Sequence, residues 1–93
     1  MNRHFVELFG IPRQLAGAPE VELELPVGAT LLEAVAALGG KVPGLVGRVI
    51  AEDGTSLIEP YALNLNGRAF VPSLEVRLRP GDRIVLMTRS AGG

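Results

Sequence analysis

An α+β fold, a mixed sheet with one main helix packed across it, is predicted by three stretches of the sequence. Glu20-Val21-Glu22-Leu23-Glu24-Leu25 alternates strictly between carboxylates and aliphatics, the pattern of a strand with one wet face and one buried face. Thr30-Leu31-Leu32-Glu33 opens a run in which Leu31, Leu32, Val35, Ala36 and Leu38 recur at helical spacing. Ile84-Val85-Leu86-Met87 is unbroken and apolar, which predicts a strand covered on both faces and therefore central in its sheet.

The other elements follow in chain order. Phe5-Val6-Glu7-Leu8-Phe9 reads as a first strand, stopped by Gly10 and Pro12. Arg13 to Gly17 reads as a short connection anchored by Leu15. Pro26 and Gly28 end the alternating second strand, and the two strands are close enough to form a hairpin. Thr30 is placed to cap the free N–H groups of the helix while Glu33 reaches back, a capping box. Gly39-Gly40 is expected to terminate that helix. Pro43 to Ile50 is expected to form a second short helical turn, and Glu52-Asp53-Gly54-Thr55 a turn. Tyr61 to Leu65 is a strand, closed by an Asn66-Gly67 turn that tolerates positive φ. Phe70 and Val71 continue past it, and Val76 and Leu78 alternate with Glu75, Arg77 and Arg79. Pro80-Gly81-Asp82 then turns the chain into the last strand. A hairpin, a helix laid across it and a return to a central last strand describe the β-grasp arrangement. Residues 1–87 form the predicted domain and residues 88–93 a flexible tail.

Composition narrows the function. The chain has 93 residues, enough for one domain, and its 47% hydrophobic content with only 4% aromatics predicts an aliphatic core. The net charge of −1, with arginines scattered along the chain, argues against sequence-independent nucleic-acid binding. With no cysteine, disulfides, a Cys nucleophile and thiolate metal sites are excluded. A single histidine, His4, excludes a multi-His metal site and itself reads as a surface residue. No metal is expected. No apolar run reaches membrane-spanning length and no signal pattern opens the chain, so a cytoplasmic protein is expected. Glu20, Glu22 and Glu24 lack a second catalytic partner and read as a solvated face.

The chain ends in Ser90-Ala91-Gly92-Gly93. Glycine has no Cβ, so such an end is thin enough to thread a narrow channel and finishes in a carboxylate. A frayed terminus is the other reading of the same residues.

Five segments in order resemble the MoaD/ThiS family of ubiquitin-like sulfur carriers, which includes the small subunit of molybdopterin synthase. They are Val6-Glu7-Leu8-Phe9 with Arg13-Gln14-Leu15-Ala16-Gly17, then Leu25-Pro26-Val27-Gly28-Ala29-Thr30-Leu31, then Leu65-Asn66-Gly67, then Leu78-Arg79-Pro80-Gly81-Asp82-Arg83-Ile84-Val85-Leu86, and finally the Gly-Gly end. The tail departs from the family's usual Pro-Pro-Val-x-Gly-Gly, and the Lys41–Pro60 stretch is longer than in the most compact members.

The resemblance implies a carrier or co-substrate rather than an enzyme. It implies no bound cofactor; ATP is consumed by an E1-like adenylating partner that activates Gly93. A persulfide sulfur then displaces AMP and leaves a C-terminal thiocarboxylate. A sulfur-accepting synthase subunit or another acceptor enzyme is the second implied partner, most naturally in molybdopterin formation. Arg89, Ser90, Ala91 and Gly92 are the implied threading residues; Arg89 faces either an acidic rim on the partner or solvent. Phe9, Leu65, Phe70 and Met87 are candidates for an apolar docking patch, with core packing the alternative for each. A protein modifier joined through Gly93 to target lysines is the rival reading, and an interaction module with an inert tail a third.

Overall fold

In the computed structural model, which describes residues 1–89, seven helices and strands follow in chain order. They are β1 (Asn2–Leu8), α1 (Ile11–Ala16), β2 (Glu20–Leu25), α2 (Leu31–Lys41), β3 (Tyr61–Leu65), β4 (Ala69–Phe70) and β5 (Ile84–Thr88). A 3₁₀ turn at Pro43–Leu45 lies between α2 and β3. The sheet order is β2-β1-β5-β3-β4. β1 pairs antiparallel with β2 and parallel with β5, and β3 pairs antiparallel with both β5 and β4. This is the β-grasp fold, with β5 at the centre as its apolar run requires.

Alternation along β1 and β2 sends His4, Val6, Leu8, Leu23 and Leu25 under α2, where all are at most 3% exposed. From above, α2 buries Leu31, Ala34, Val35 and Leu38. The buried hydrophobic set contains no aromatic residue. The helix starts where the capping box places it: Glu33 N–H donates to Thr30 Oγ1 at 3.2 Å, and Thr30 N–H donates to Glu33 Oε1 at 3.2 Å. Its next free donors are met from the far end of the chain. Leu31 N–H donates to Val76 O and Leu32 N–H to Leu74 O, each at 2.9 Å. Residues 74–78 therefore lace the helix start. They form no ladder strand, only an isolated bridge between Thr30 and Arg77.

Other details depart from the sequence expectation. The Arg13–Gly17 connection is the end of helix α1, begun at Ile11-Pro12 and closed by Gly17 in the left-handed region (φ 71°), whose N–H bonds Arg13 O. His4 is not a surface residue: it is 2% exposed, and its Nδ1 donates to the Asp82 carbonyl at 3.4 Å. Gly39-Gly40 does not stop α2, which runs on to Lys41. Gly39 serves packing instead. A Cβ there would lie 3.3 Å from Val46 Cγ2 and 3.6 Å from Ile50 Cδ1, so its absence lets the following segment close on the helix. Gly40 meets nothing within 4 Å. Gly40→Ala is accordingly expected to raise the unfolding free energy by about 0.5–1 kcal/mol in a denaturant titration. In Gly39→Ala the crowding of Val46 offsets that gain.

The Lys41–Pro60 segment contributes Leu45, Val49 and Ile50, each 0% exposed. It is part of the core, and a large-to-small change at any of the three should cost about 2–5 kcal/mol.

The Asn66-Gly67 turn has positive φ at both residues (59° and 70°), as its sequence demands. Asn66 also ties the turn to β5: its Oδ1 accepts from Arg83 N–H at 2.8 Å and its Nδ2 donates to Asp82 Oδ1 at 3.1 Å. The Arg79 backbone N–H, bonded to Asp82 Oδ2 at 2.8 Å, holds the Asp82 carboxyl below the ordinary aspartate range. Partial burial opposes that shift, and the Asn66 amide reinforces it.

Candidate functional site

Whatever α2 does not cover lies on the opposite face of the sheet, and the period of two sorts its residues. Phe5 and Glu7 come from β1, and Glu20, Glu22 and Glu24 from β2. Val85 and Met87 come from β5, Ala62 and Asn64 from β3, and Phe70 from β4 opposite Asn64. One half of this face is acidic. Glu22 pairs with Arg3 at 3.6 Å, and Glu7 pairs with Arg83.

The other half is an apolar groove of about 400 Å³ lined by Glu7, Phe9, Asn64, Gly67, Phe70, Val85 and Met87. Phe9 is 48% exposed and Phe5 40%. Two of the chain's three phenylalanines are thus held in solvent while the core is left wholly aliphatic. Phe9 and the half-buried Phe70 and Met87 line the groove together, residue types enriched where proteins dock.

Of the residues expected in that patch, Phe9, Phe70 and Met87 come together. Leu65 does not. It packs against the core with Leu63, one residue out of phase with Asn64. Val85, Glu7 and Asn64, which also line the groove, were not singled out by the sequence, although Val85 stands two residues from Met87, the spacing of a shared face.

The groove runs along β5, with Gly67 toward the start of that strand and Phe9 and Met87 toward its end. Because β1 and β5 are parallel, with Leu8 opposite Leu86, both strands end on the same side. Phe9 N–H donates to Leu86 O at 3.3 Å, which sets Phe9 near the end of β5. Thr88, placed in the tail by the sequence, is the last residue of β5 and pairs with Tyr61. Arg89 is exposed, with its guanidinium carbon 5.4 Å from the centre of the Phe70 ring. Ser90, Ala91, Gly92 and Gly93, which carry the expected threading and reacting positions, lie outside the described residues.

Among the described residues, no group of three His, Cys, Asp or Glu side chains is arranged to hold a metal ion, and no helix is long and apolar enough to cross a membrane.

Comparison with known proteins fits this geometry. The sequence model of the ThiS family matches residues 6–93, from β1 through the final glycine. The chain belongs to the ThiS family. Similar solved structures carry the same β-grasp fold. Small archaeal modifier protein 1 from Haloferax volcanii is 28% identical with a TM-score of 0.83, the match covering 99% of this chain and 100% of that one. The protein named as molybdopterin converting factor, subunit 1, from Pyrococcus furiosus is 27% identical with a TM-score of 0.77, over 95% of this chain and 98% of that one. A chain of the Amycolatopsis orientalis BexX/CysO complex is 26% identical with a TM-score of 0.72, over 96% and 98% respectively. A search of curated proteins returned no match. ThiS-family members are small ubiquitin-like sulfur carriers rather than catalysts, and this chain shares their fold over its described residues.

Proposed function

We propose that this ThiS-family chain carries sulfur on its C-terminal carboxylate and delivers it to an acceptor enzyme, molybdopterin formation being the leading pathway. The observation that carries the reading is the family match running unbroken to Gly93, on a fold whose central strand ends beside an exposed apolar groove. A carboxylate is a poor electrophile at neutral pH, so a partner must first activate it. An adenylating enzyme joins the Gly93 carboxylate to the α-phosphorus of ATP, and pyrophosphate leaves. The terminal sulfur of a persulfide then attacks the acyl carbon and AMP leaves. A thiol opens the resulting acyl disulfide, becoming disulfide-bonded to the donor and freeing the thiocarboxylate.

The chain's own part is presentation. Phe9, Phe70 and Met87 dock the partner, and Arg89 to Gly92 lead Gly93 to the reacting centre. The absence of cysteine leaves no internal thiol to capture the activated acyl group. The use of ATP by that partner supports a cytoplasmic setting.

A modifier function is the second reading, supported by the likeness to small archaeal modifier protein 1. There a target lysine amine, rather than sulfur, displaces AMP. Intact-mass spectrometry after incubation with ATP, a persulfide donor and the cognate adenylating enzyme separates the two. Oxygen-for-sulfur exchange at Gly93 is expected. Isopeptide adducts on lysines without that exchange would replace the carrier reading with the modifier one.

A further inference from the structure

We propose that Arg89 is a positioning residue: held by Phe70 and by the carbonyl of Pro60, just before β3, it fixes the point from which the reacting tail departs. Two contacts hold it, and a third fixes the residue before it. Thr88 is still within the β5 ladder, opposite Tyr61. The Arg89 N–H donates to the Pro60 carbonyl at 2.7 Å, extending the ordered backbone one residue past the strand. The guanidinium then lies over Phe70, 5.4 Å from the ring centre, within the range of a cation–π contact. The side chain is thus turned back on its own domain, whereas the sequence left open only a partner's acidic rim or bulk solvent.

Chain geometry gives the clamp a consequence. Ser90 to Gly93 separate it from the acid on which the proposed function rests, and four residues span at most about 14 Å fully extended. With its origin fixed, the tail acts as a ruler. A partner docked on the groove must place its reacting phosphate within that reach of Arg89. If the origin were loose, Gly93 would sample more positions around the same docked body, and fewer would be reactive. The clamp therefore acts on turnover more than on binding.

This inference rests on the carrier reading for its kinetic part, but its structural part is read on the free protein. In NMR of the full chain, the Arg89 side-chain resonances are expected to be shifted upfield by the Phe70 ring. The Arg89 amide is expected to exchange slowly. Phe70→Leu, which keeps the groove apolar, should return the side-chain resonances to ordinary positions while leaving core signals in place. With adenylating enzyme and ATP, Arg89→Ala and Phe70→Leu should each lower kcat by about two- to fivefold, the value of an exposed cation–π contact. The double variant should fall no further than the singles, and Arg89→Lys should retain most of the rate. Ordinary Arg89 shifts in the wild-type chain would overturn the proposal. So would single effects that multiply in the double variant, because Arg89 would then act on the partner independently of Phe70. Failure of the wild-type chain to be adenylated would sink the carrier reading alone; the NMR result would still decide the clamp.

Discussion

Removing Gly92 and Gly93 is expected to abolish sulfur loading while leaving the fold and the docking surface unchanged. The measurement is intact mass after incubation with ATP, persulfide and the adenylating enzyme, together with affinity for that enzyme. Lost loading with retained affinity is the carrier's signature, since the reacting carboxylate and the binding surface are separate parts of the chain. The truncated chain should also unfold at the same denaturant concentration, because the ladder of β5 ends at Thr88, four residues before Gly92. Unaltered loading after truncation would mean that the terminal acid is not what the partner activates. A shorter tail also ends in a carboxylate, but one that stops short of the reach discussed above. Adding a single residue after Gly93 provides the complementary case. It keeps both glycines yet moves the acid, and loading should again fall to background.

The second large effect is expected at the groove. Phe9→Asp should lower kcat/KM for loading by roughly 30- to 1,000-fold, the about 2–4 kcal/mol typical of a central aromatic anchor. Phe9 lies outside the strands and is 48% exposed, so the change should leave the unfolding midpoint nearly in place. Val27 is the control. It is 73% exposed and apolar but does not line the groove, and Val27→Asp should leave loading rates within about twofold of wild type. Equal losses at the two positions would show general sensitivity to surface charge and not a docking site.

Much of the architecture was legible in local chemistry. The capping box at Thr30–Glu33, the alternation at Glu20–Leu25 and the Asn66-Gly67 turn each have one strongly preferred structure, and each adopts it. The unbroken run at β5 announced a central strand for the same reason. What escaped depends on contacts distant in sequence. Gly39-Gly40 carries the usual mark of a helix end, but Val46 and Ile50 needed a small residue to pack on, and tertiary packing overrode the local preference. The α1 helix is six residues long, too short for periodicity, although Pro12 and Gly17 mark its two ends. His4 shares a face with Val6 and Leu8 at two-residue spacing. That pattern places it inward, yet only the Pro80–Asp82 turn arriving from the other end of the chain supplies its partner. Of the four residues expected in a docking patch, Phe9, Phe70 and Met87 line one groove, whereas Leu65 packs toward the core, because register, not hydrophobicity, decides which face a strand residue serves.

The parallel pairing of β1 with β5 has a consequence for how the chain is made. Val6 meets Ile84, so the middle of the sheet joins one of the earliest synthesised segments to one of the latest. Until β5 emerges from the ribosome, β1 and β3 have no strand between them, and the layer under α2 is incomplete. Folding should therefore complete after synthesis of the last strand, at a pace limited by this long-range closure. Chains abandoned part-way would lack both a stable body and a strand to project the terminus, so an activating enzyme that recognises the assembled sheet would accept finished molecules and ignore fragments.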